Sequence, residues 1–310
     1  LVAGPIERYN ALMPQVSNKR TIDPDGISEG IYHILIGMFK KVVIADNMAR
    51  LADAVFFVPT ASLSAPEVFM GVLAFTVQIY GDFSGYSSIA QGVARLLGFK
   101  LMYNFRMPYL ARSPSDFWRR WHISLSQWLR DYLYISLGGN RGARWKTYRN
   151  LMVTMALGGL WHGAGWTFVA WGIFHGVILC LYRPFEGKGP PVRAGALAQF
   201  VGVAQLFLMF TLTCLGWLLF RAQSMGQVWG MLGRLFASWE LTSLAVHGFG
   251  LLAFFGLPLF LYELWVERRG SMTAILDVHW IFRSLVFGFM VWMLWFFPAE
   301  TVHEFIYFQF

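Results

Sequence analysis

Residues 151–182 run without a single Asp, Glu, Lys or Arg, and nothing else in the sequence restricts the fold as much. A helix crossing a bilayer needs about 20 apolar residues. The run is therefore long for one span and short for two spans and a turn. Its flanks decide the matter. Arg141, Arg144, Lys146 and Arg149 precede it and Arg183, Lys188 and Arg193 follow it, so both ends prefer the cytoplasmic side. The expected geometry is a pair of short helices that enter and return, bent around Gly158 to Gly165 in the stretch "GGLWHGAGW". Irregular backbone at membrane depth is tolerated only where protein or water covers it. His162 is thus expected deep in the protein, against a cavity.

Further uncharged runs at 194–220, 241–262 and 284–299 repeat the signal. Only 14% of the 310 residues are charged and 56% are hydrophobic, where a soluble domain carries about 25% charged residues. The chain reads as an all-α polytopic membrane protein, a single membrane-embedded domain over 1–310. The formal charge of +8 belongs to cytoplasmic loops. No basic domain stands apart from the apolar runs, so nucleic acid is discounted as a partner and the lipid bilayer is the expected one. Cys180 and Cys214 lie in apolar runs as small hydrophobes, not as a disulfide or metal site. The opening "LVAGPIERYN" resembles an interfacial turn, and the chain reads as the C-terminal part of a longer protein.

Residues 24–47 contain a helix with Lys40 and Lys41 in its middle, where a charge must snorkel or line a polar cavity. The apolar stretch 68–81 stops at Asp82, and Gly81, Gly85 and Gly92 suggest close helix packing or a local break. The arginine-rich region 95–149 holds "RSPSDFWRRWHISLSQWLRDYLYISLGG", which reads as one amphipathic helix lying at the interface or entering obliquely. Ser113 is its N-cap, Pro114 its first position, Asp116 completes a capping box, and Gly138-Gly139 ends it. The remaining runs then cross outward, return and lead out again, leaving the acidic tail "ETVHEFIYFQF" on the outer face.

Ionisable groups at membrane depth usually face a working cavity, and neutral imidazole suits proton abstraction from a hydroxyl near neutral pH. His162 is the first candidate, set against a packing role for Gly159 and Gly163, which form a GxxxG pair. His122 lies 40 residues upstream, with Trp118 and Ser126 at helical spacing around it. It becomes a second polar contact if it faces His162. Asp82 reads first as a helix cap or the partner of a buried Arg. His175, between Gly172 and Gly176, reads as packing. No HExxH, CxxC, G-x-S-x-G or P-loop pattern appears.

Several stretches taken together resemble the membrane-bound O-acyltransferase (MBOAT) family, in its bacterial polysaccharide branch. They are "LVAGPIERY", "DFSGYSSIAQG", "DFWRRWHISLSQWLRDYLYISLGGNRG", "TMALGGLWHGAGWTFVAWGIFHG", "GWLLFRAQS" and "EFIYFQF". The resemblance implies a helical cradle around a tunnel, with short, re-entrant and interfacial helices and an active-site histidine matching His162. The family's second polar position, often Asn, Asp or His, matches His122. Ser88 departs from the pattern, which often has an acid there, and the family's N-terminal spans are absent.

The function so implied is O-acetyl transfer at a bacterial inner membrane. A cytoplasmic thioester such as acetyl-CoA would be the donor, with no permanently bound cofactor and no metal. The exported polysaccharide would be reached through a periplasmic acetyltransferase partner. His162 would be the general base, and His122 would hydrogen-bond the carbonyl or orient the acceptor. Trp118, Ser126, Trp161, Trp166 and Asp82 are the expected substrate contacts, the tryptophans walling the cavity. The rival readings are D-alanyl or acetyl transfer to teichoic acid or peptidoglycan, and a transporter or channel built on broken helices. The inverted repeats that would favour the latter are not found.

Overall fold

A computed structural model describes residues 4–186, 195–299 and 305–306. After α1 (Tyr9–Ser17), the first long element starts at α2 (Pro24–Met38). Asp23 caps it by accepting the Gly26 N–H, and proline occupies its first turn. The helix then widens into a π-helical stretch, Phe39–Ala45, and resumes as α3 (Asp46–Phe56). Inserted π-turns mark places where a helix re-aims side chains, and here both lysines find partners. Lys40 Nζ meets Glu263 at 2.9 Å, and Lys41 Nζ meets Asp46 at 2.8 Å and Asp82 at 2.7 Å.

Helix α4 (Ala65–Leu96) opens with a complete capping box between Ser64 and Glu67. It runs unbroken through Asp82, so the apolar stretch does not end there. Its glycines serve packing. A Cβ on Gly85 would sit 2.8 Å from the Gly37 carbonyl oxygen, and one on Gly92 would sit 2.5 Å from that of Gly30. The backbones of α2 and α4 nearly touch, the approach that small residues permit inside membranes.

The single amphipathic helix expected over 113–137 is three pieces: α5 (Pro114–Arg120), α6 (Ile123–Trp128) and a π-helical Leu129–Tyr134. The break falls at His122, whose φ of 41° is left-handed. Its cause is tertiary. The buried Asn104 takes the Ile123 N–H on its backbone oxygen at 2.9 Å. Its side-chain oxygen takes the Ser124 N–H at 3.2 Å and the Ser124 hydroxyl at 2.9 Å. Satisfied elsewhere, these donors leave the helical ladder. Nor is the middle of the segment interfacial, since Phe117, Trp121, His122, Ser124 and Leu125 are buried. Ser113 caps α5 through the Asp116 N–H, while the Asp116 carboxylate accepts from Arg112 and not from the cap itself. Gly138 and Gly139, both at positive φ, close the region as expected.

The long uncharged run is the helical hairpin α7 (Arg144–His162) and α8 (Trp166–Tyr182), turning at Gly163–Gly165. A Cβ on Gly159 would sit 2.3 Å from the Phe168 carbonyl oxygen, and one on Gly172 would be as close to that of Met155. The hairpin packs on α9 (Ala196–Arg221) and on α5. Next come the short α10 (Met225–Arg234), α11 (Ser243–Arg269) against α4, and α12 (Trp280–Phe296) beside the π-helical stretch of α2–α3.

Four helical stretches are long and apolar enough to cross a membrane: Ala65–Leu96, Trp166–Phe185, Ala196–Arg221 and Ser243–Arg269. Trp280–Phe296 is a shorter apolar helix. The chain is a multi-pass membrane protein, and no strand occurs among its described residues. Cys180 and Cys214 are free and partly buried. Lys188 and Arg193, the start of the opening turn at 1–3, and the tail at 300–304 and 307–310 lie outside the described residues.

Candidate active site

Two breaks in regular structure carry the two histidines. His162 is the last residue of α7, and the following Gly163 gives way to the Phe168 ring, which a Cβ there would meet at 2.6 Å. Its imidazole stands edge-on to Trp161, Trp171 and Phe220 at 5.0, 5.1 and 5.2 Å between centroids. His122, on the α5–α6 break, stands edge-on to Phe83 at 4.7 Å. His162 lies within electrostatic range of both His122 and His175.

Asn104 fixes the chemistry of His122. Its side-chain oxygen, already accepting from Ser124, lies 3.1 Å from His122 Nδ1, while its amide nitrogen donates to Ser87 Oγ at 3.3 Å. An oxygen with that role only accepts, so Nδ1 carries the proton and Nε2 of the neutral ring carries the lone pair. A neutral ring in this tautomer accepts at Nε2 and does not donate there. Asn104 was missed in the sequence: a lone Asn in a loop, 18 residues from its histidine, has no periodicity to betray it.

His175, read from sequence as packing, is fully enclosed between Phe117, stacked at 5.9 Å, and the edges of Trp118 and Trp171 at 5.1 and 4.8 Å. Its Nδ1 has no hydrogen-bond partner, and neither do the buried Trp118 Nε1, Trp171 Nε1 and Thr154 Oγ1. Buried polar atoms are nearly always satisfied. Four orphans around one aromatic cluster mark a place where a polar group from outside the chain, water or ligand, would be held.

A cavity of about 490 Å³ reaches that cluster. Its walls include Trp118, Ser126, Thr154 and Met155, and its mouth carries Arg119, Arg130, Tyr134 and Glu186. A second cleft of about 350 Å³ shares Asn140 and Glu186 with it and adds Arg144 and Arg183. Trp118 and Ser126 thus line a cavity on the side of the basic loops. Neither histidine is in its lining. Trp118 touches Trp171 at 5.8 Å, which in turn touches His162, so two indole rings stand where the expected tunnel would continue. Nearby, Arg120 binds Asp116 at 3.0 Å and Glu267 at 2.8 Å. Burial alone would lower its pKa, but these two carboxylates outweigh it and raise it, keeping the rim charged.

The other expected contacts fall elsewhere. Trp161 and Trp166 are 54% and 79% exposed. They stand on the outside of the hairpin tip and wall no enclosed cavity, because the turn at Gly163–Gly165 directs its flanking side chains outward. Asp82 is 2% exposed and engaged within the protein, with Lys41 on one oxygen and the Ile306 N–H, at 2.7 Å, on the other. It is the partner of a buried base, but that base is Lys41 and not the arginine expected.

The model of the membrane-bound O-acyltransferase family matches residues 1–221. The probable alginate O-acetylase AlgI of Azotobacter vinelandii is 45% identical over 79% of this chain and 47% of its own length. The protein of that name from Pseudomonas putida is 39% identical over the whole chain and 66% of its own length. A peptidoglycan O-acetyltransferase of Helicobacter pylori is 42% identical over 73% of the chain and 42% of its own. The chain thus spans about half to two thirds of the length of the curated relatives it matches.

Proposed function

The chain belongs to the membrane-bound O-acyltransferase family, and from that premise we propose that it moves an acetyl group from a cytoplasmic thioester toward an exported polysaccharide. The names borne by its relatives support acyl transfer to a polymer of this kind. The observation that carries the reading is an aromatic cluster with unsatisfied polar atoms, with His162 packed on its Trp171 and with His122 held in one tautomer by Asn104.

The donor, acetyl-CoA or another acyl thioester, enters by the basic cavity, where Arg119, Arg130, Arg144 and Arg183 suit phosphate groups. Trp118, Ser126 and Thr154 line its path, and Trp118 with Trp171 must shift for its carbonyl to reach His162. The acceptor hydroxyl attacks that carbonyl as His162 takes its proton. The tetrahedral intermediate then expels the thiolate, which recovers the proton from His162. Proton transfer of this kind contributes about 10²–10⁴-fold. With its lone pair at Nε2, neutral His122 suits orienting the acceptor hydroxyl better than donating to the carbonyl. The dry aromatic surroundings suppress thioester hydrolysis. The exposed Trp161 and Trp166 face whatever approaches the hairpin tip, and Asp82 acts from behind the site. The protein sits in the bacterial inner membrane and hands the acyl group to a periplasmic partner enzyme. Acetyl transfer to peptidoglycan is the second reading, favoured by the Helicobacter pylori relative.

The test is His162→Ala in the full-length protein, in its own cells, reading polymer acetyl content by mass spectrometry per molecule of membrane-inserted protein. Loss of acetylation at parental protein level supports the reading. Unaffected acetylation removes His162 from the mechanism, and acetylated peptidoglycan with unmodified exopolysaccharide selects the second reading.

A further inference from the structure

A carboxylate in the middle of a membrane helix calls for an explanation beyond its charge partner. Asp82 neutralises Lys41 through one oxygen, and with the other it accepts the backbone N–H of Ile306 at 2.7 Å. Backbone donors at membrane depth must be satisfied inside the protein, so this hydrogen bond lets a piece of C-terminal chain lie in the core. Phe305 and Ile306 are both buried there. Phe305 stacks on Tyr86 at 4.6 Å and stands edge-on to Phe83 at 5.7 Å. Phe83 in turn stands edge-on to the His122 imidazole at 4.7 Å and to Phe105 at 4.9 Å. One line of contacts therefore joins the Asp82 clamp to the ring of His122, through Phe305 and Phe83.

His122 needs such support. Its Nδ1 is tied to Asn104 and Phe105 lies stacked on it at 6.5 Å, and a hydrogen bond at one ring atom sets that atom's position more than the plane of the ring. The edge-on ring of Phe83 restricts the orientations open to that plane.

We propose that Phe305 and the Asp82-clamped backbone of Ile306 form a positioning element for His122, setting the orientation of its imidazole from behind through Phe83. The inference rests on the reading that His122 serves acyl transfer. In the full-length protein, Phe305→Ala removes the ring and Ile306→Pro removes the donor to Asp82. Polymer acetylation per membrane-inserted molecule falls roughly 10- to 100-fold in both, the loss expected of slight misplacement at a reacting centre. Phe305→Tyr keeps the aromatic face and retains activity, whereas Phe305→Leu, close in volume, does not. Ile306→Val keeps the N–H and retains activity. A role confined to filling space would be met by leucine as well as by tyrosine. Parental acetylation in both Phe305→Ala and Ile306→Pro overturns the proposal, as does equal rescue by leucine. His122→Ala, measured alongside, separates the two levels. Unchanged acetylation there ends the reading of His122 itself, while its loss with an active Phe305→Ala ends only the inference about the C-terminal segment.

Discussion

Two polar regions lie inside the same apolar body and are built in opposite ways. Between the π-helical stretch Phe39–Ala45, the start of α3, α4 and α11, each of these buried charges has its counterpart: Lys40 with Glu263, Lys41 with Asp46 and Asp82, and Tyr80 donating to Glu263. Between α5, α7 and α8, Trp118, Trp171, His175 and Thr154 bury polar atoms without partners beside a cavity. The first arrangement pairs its charges and locks helices together, although Gln78 Oε1 and Ser84 Oγ on α4 also lack partners there. The second is complete only with something added. The contrast separates scaffold from site more sharply than residue type does, because the scaffold holds the charges and the site holds largely neutral rings.

Five variants of the full-length protein would break or sharpen the contrast. His162→Ala is expected to lower acetylation about 10²–10⁴-fold while leaving the detergent melting temperature near parental; a large fall in that temperature would assign the ring to the scaffold. Lys40→Ala is expected to do the reverse, costing about 3–5 kcal/mol by stranding Glu263, read as thermal unfolding in detergent. The paired change Lys40→Met with Glu263→Leu should recover most of it, since an apolar pair replaces a buried ion pair at little cost. Gly159→Ala places a methyl group against the Phe168 carbonyl and should cost about 1–3 kcal/mol as overpacking, through the hairpin that carries His162. Thr154→Val is the smallest and most diagnostic. Removing an unpartnered buried hydroxyl should leave stability unchanged or raise it by up to about 1 kcal/mol. In acetyl-CoA titrations with purified protein the donor KM should rise, and lost stability at unchanged KM would return Thr154 to the scaffold.

Much of the scaffold could be read in advance because its causes are local. The charge-free run, its basic flanks and its glycines predict the α7–α8 hairpin and its turn, and Ser113 with Pro114 predicts the start of α5. The glycines of α4 announce a close neighbour. What escaped depends on partners distant in the chain. Nothing near His122 forecasts a break, since the group that causes it is the oxygen of Asn104. Nothing near Lys40 names Glu263, 223 residues on. Of the candidate site, residue type singled out His162, and the family resemblance added His122 with Trp118 and Ser126 around it. The outward set of Trp161 and Trp166 was not, because it follows from which way a three-residue turn faces. Nor was the closure of the expected tunnel by Trp118 and Trp171, a matter of side-chain packing.

The positive φ of His122 has a bearing on which side chains can occupy its position. Left-handed backbone is disfavoured for most L-residues, and Asn, Asp and His are the non-glycine types several-fold enriched there. These are the same three that the family resemblance associates with this position. Steric tolerance of the main chain thus biases the alphabet before chemistry does, and the three enriched non-glycine types each bring a polar atom. An alanine at 122 loses the imidazole and inherits the awkward torsion, whereas a glycine loses the imidazole alone, so comparing the two divides conformational cost from catalytic loss.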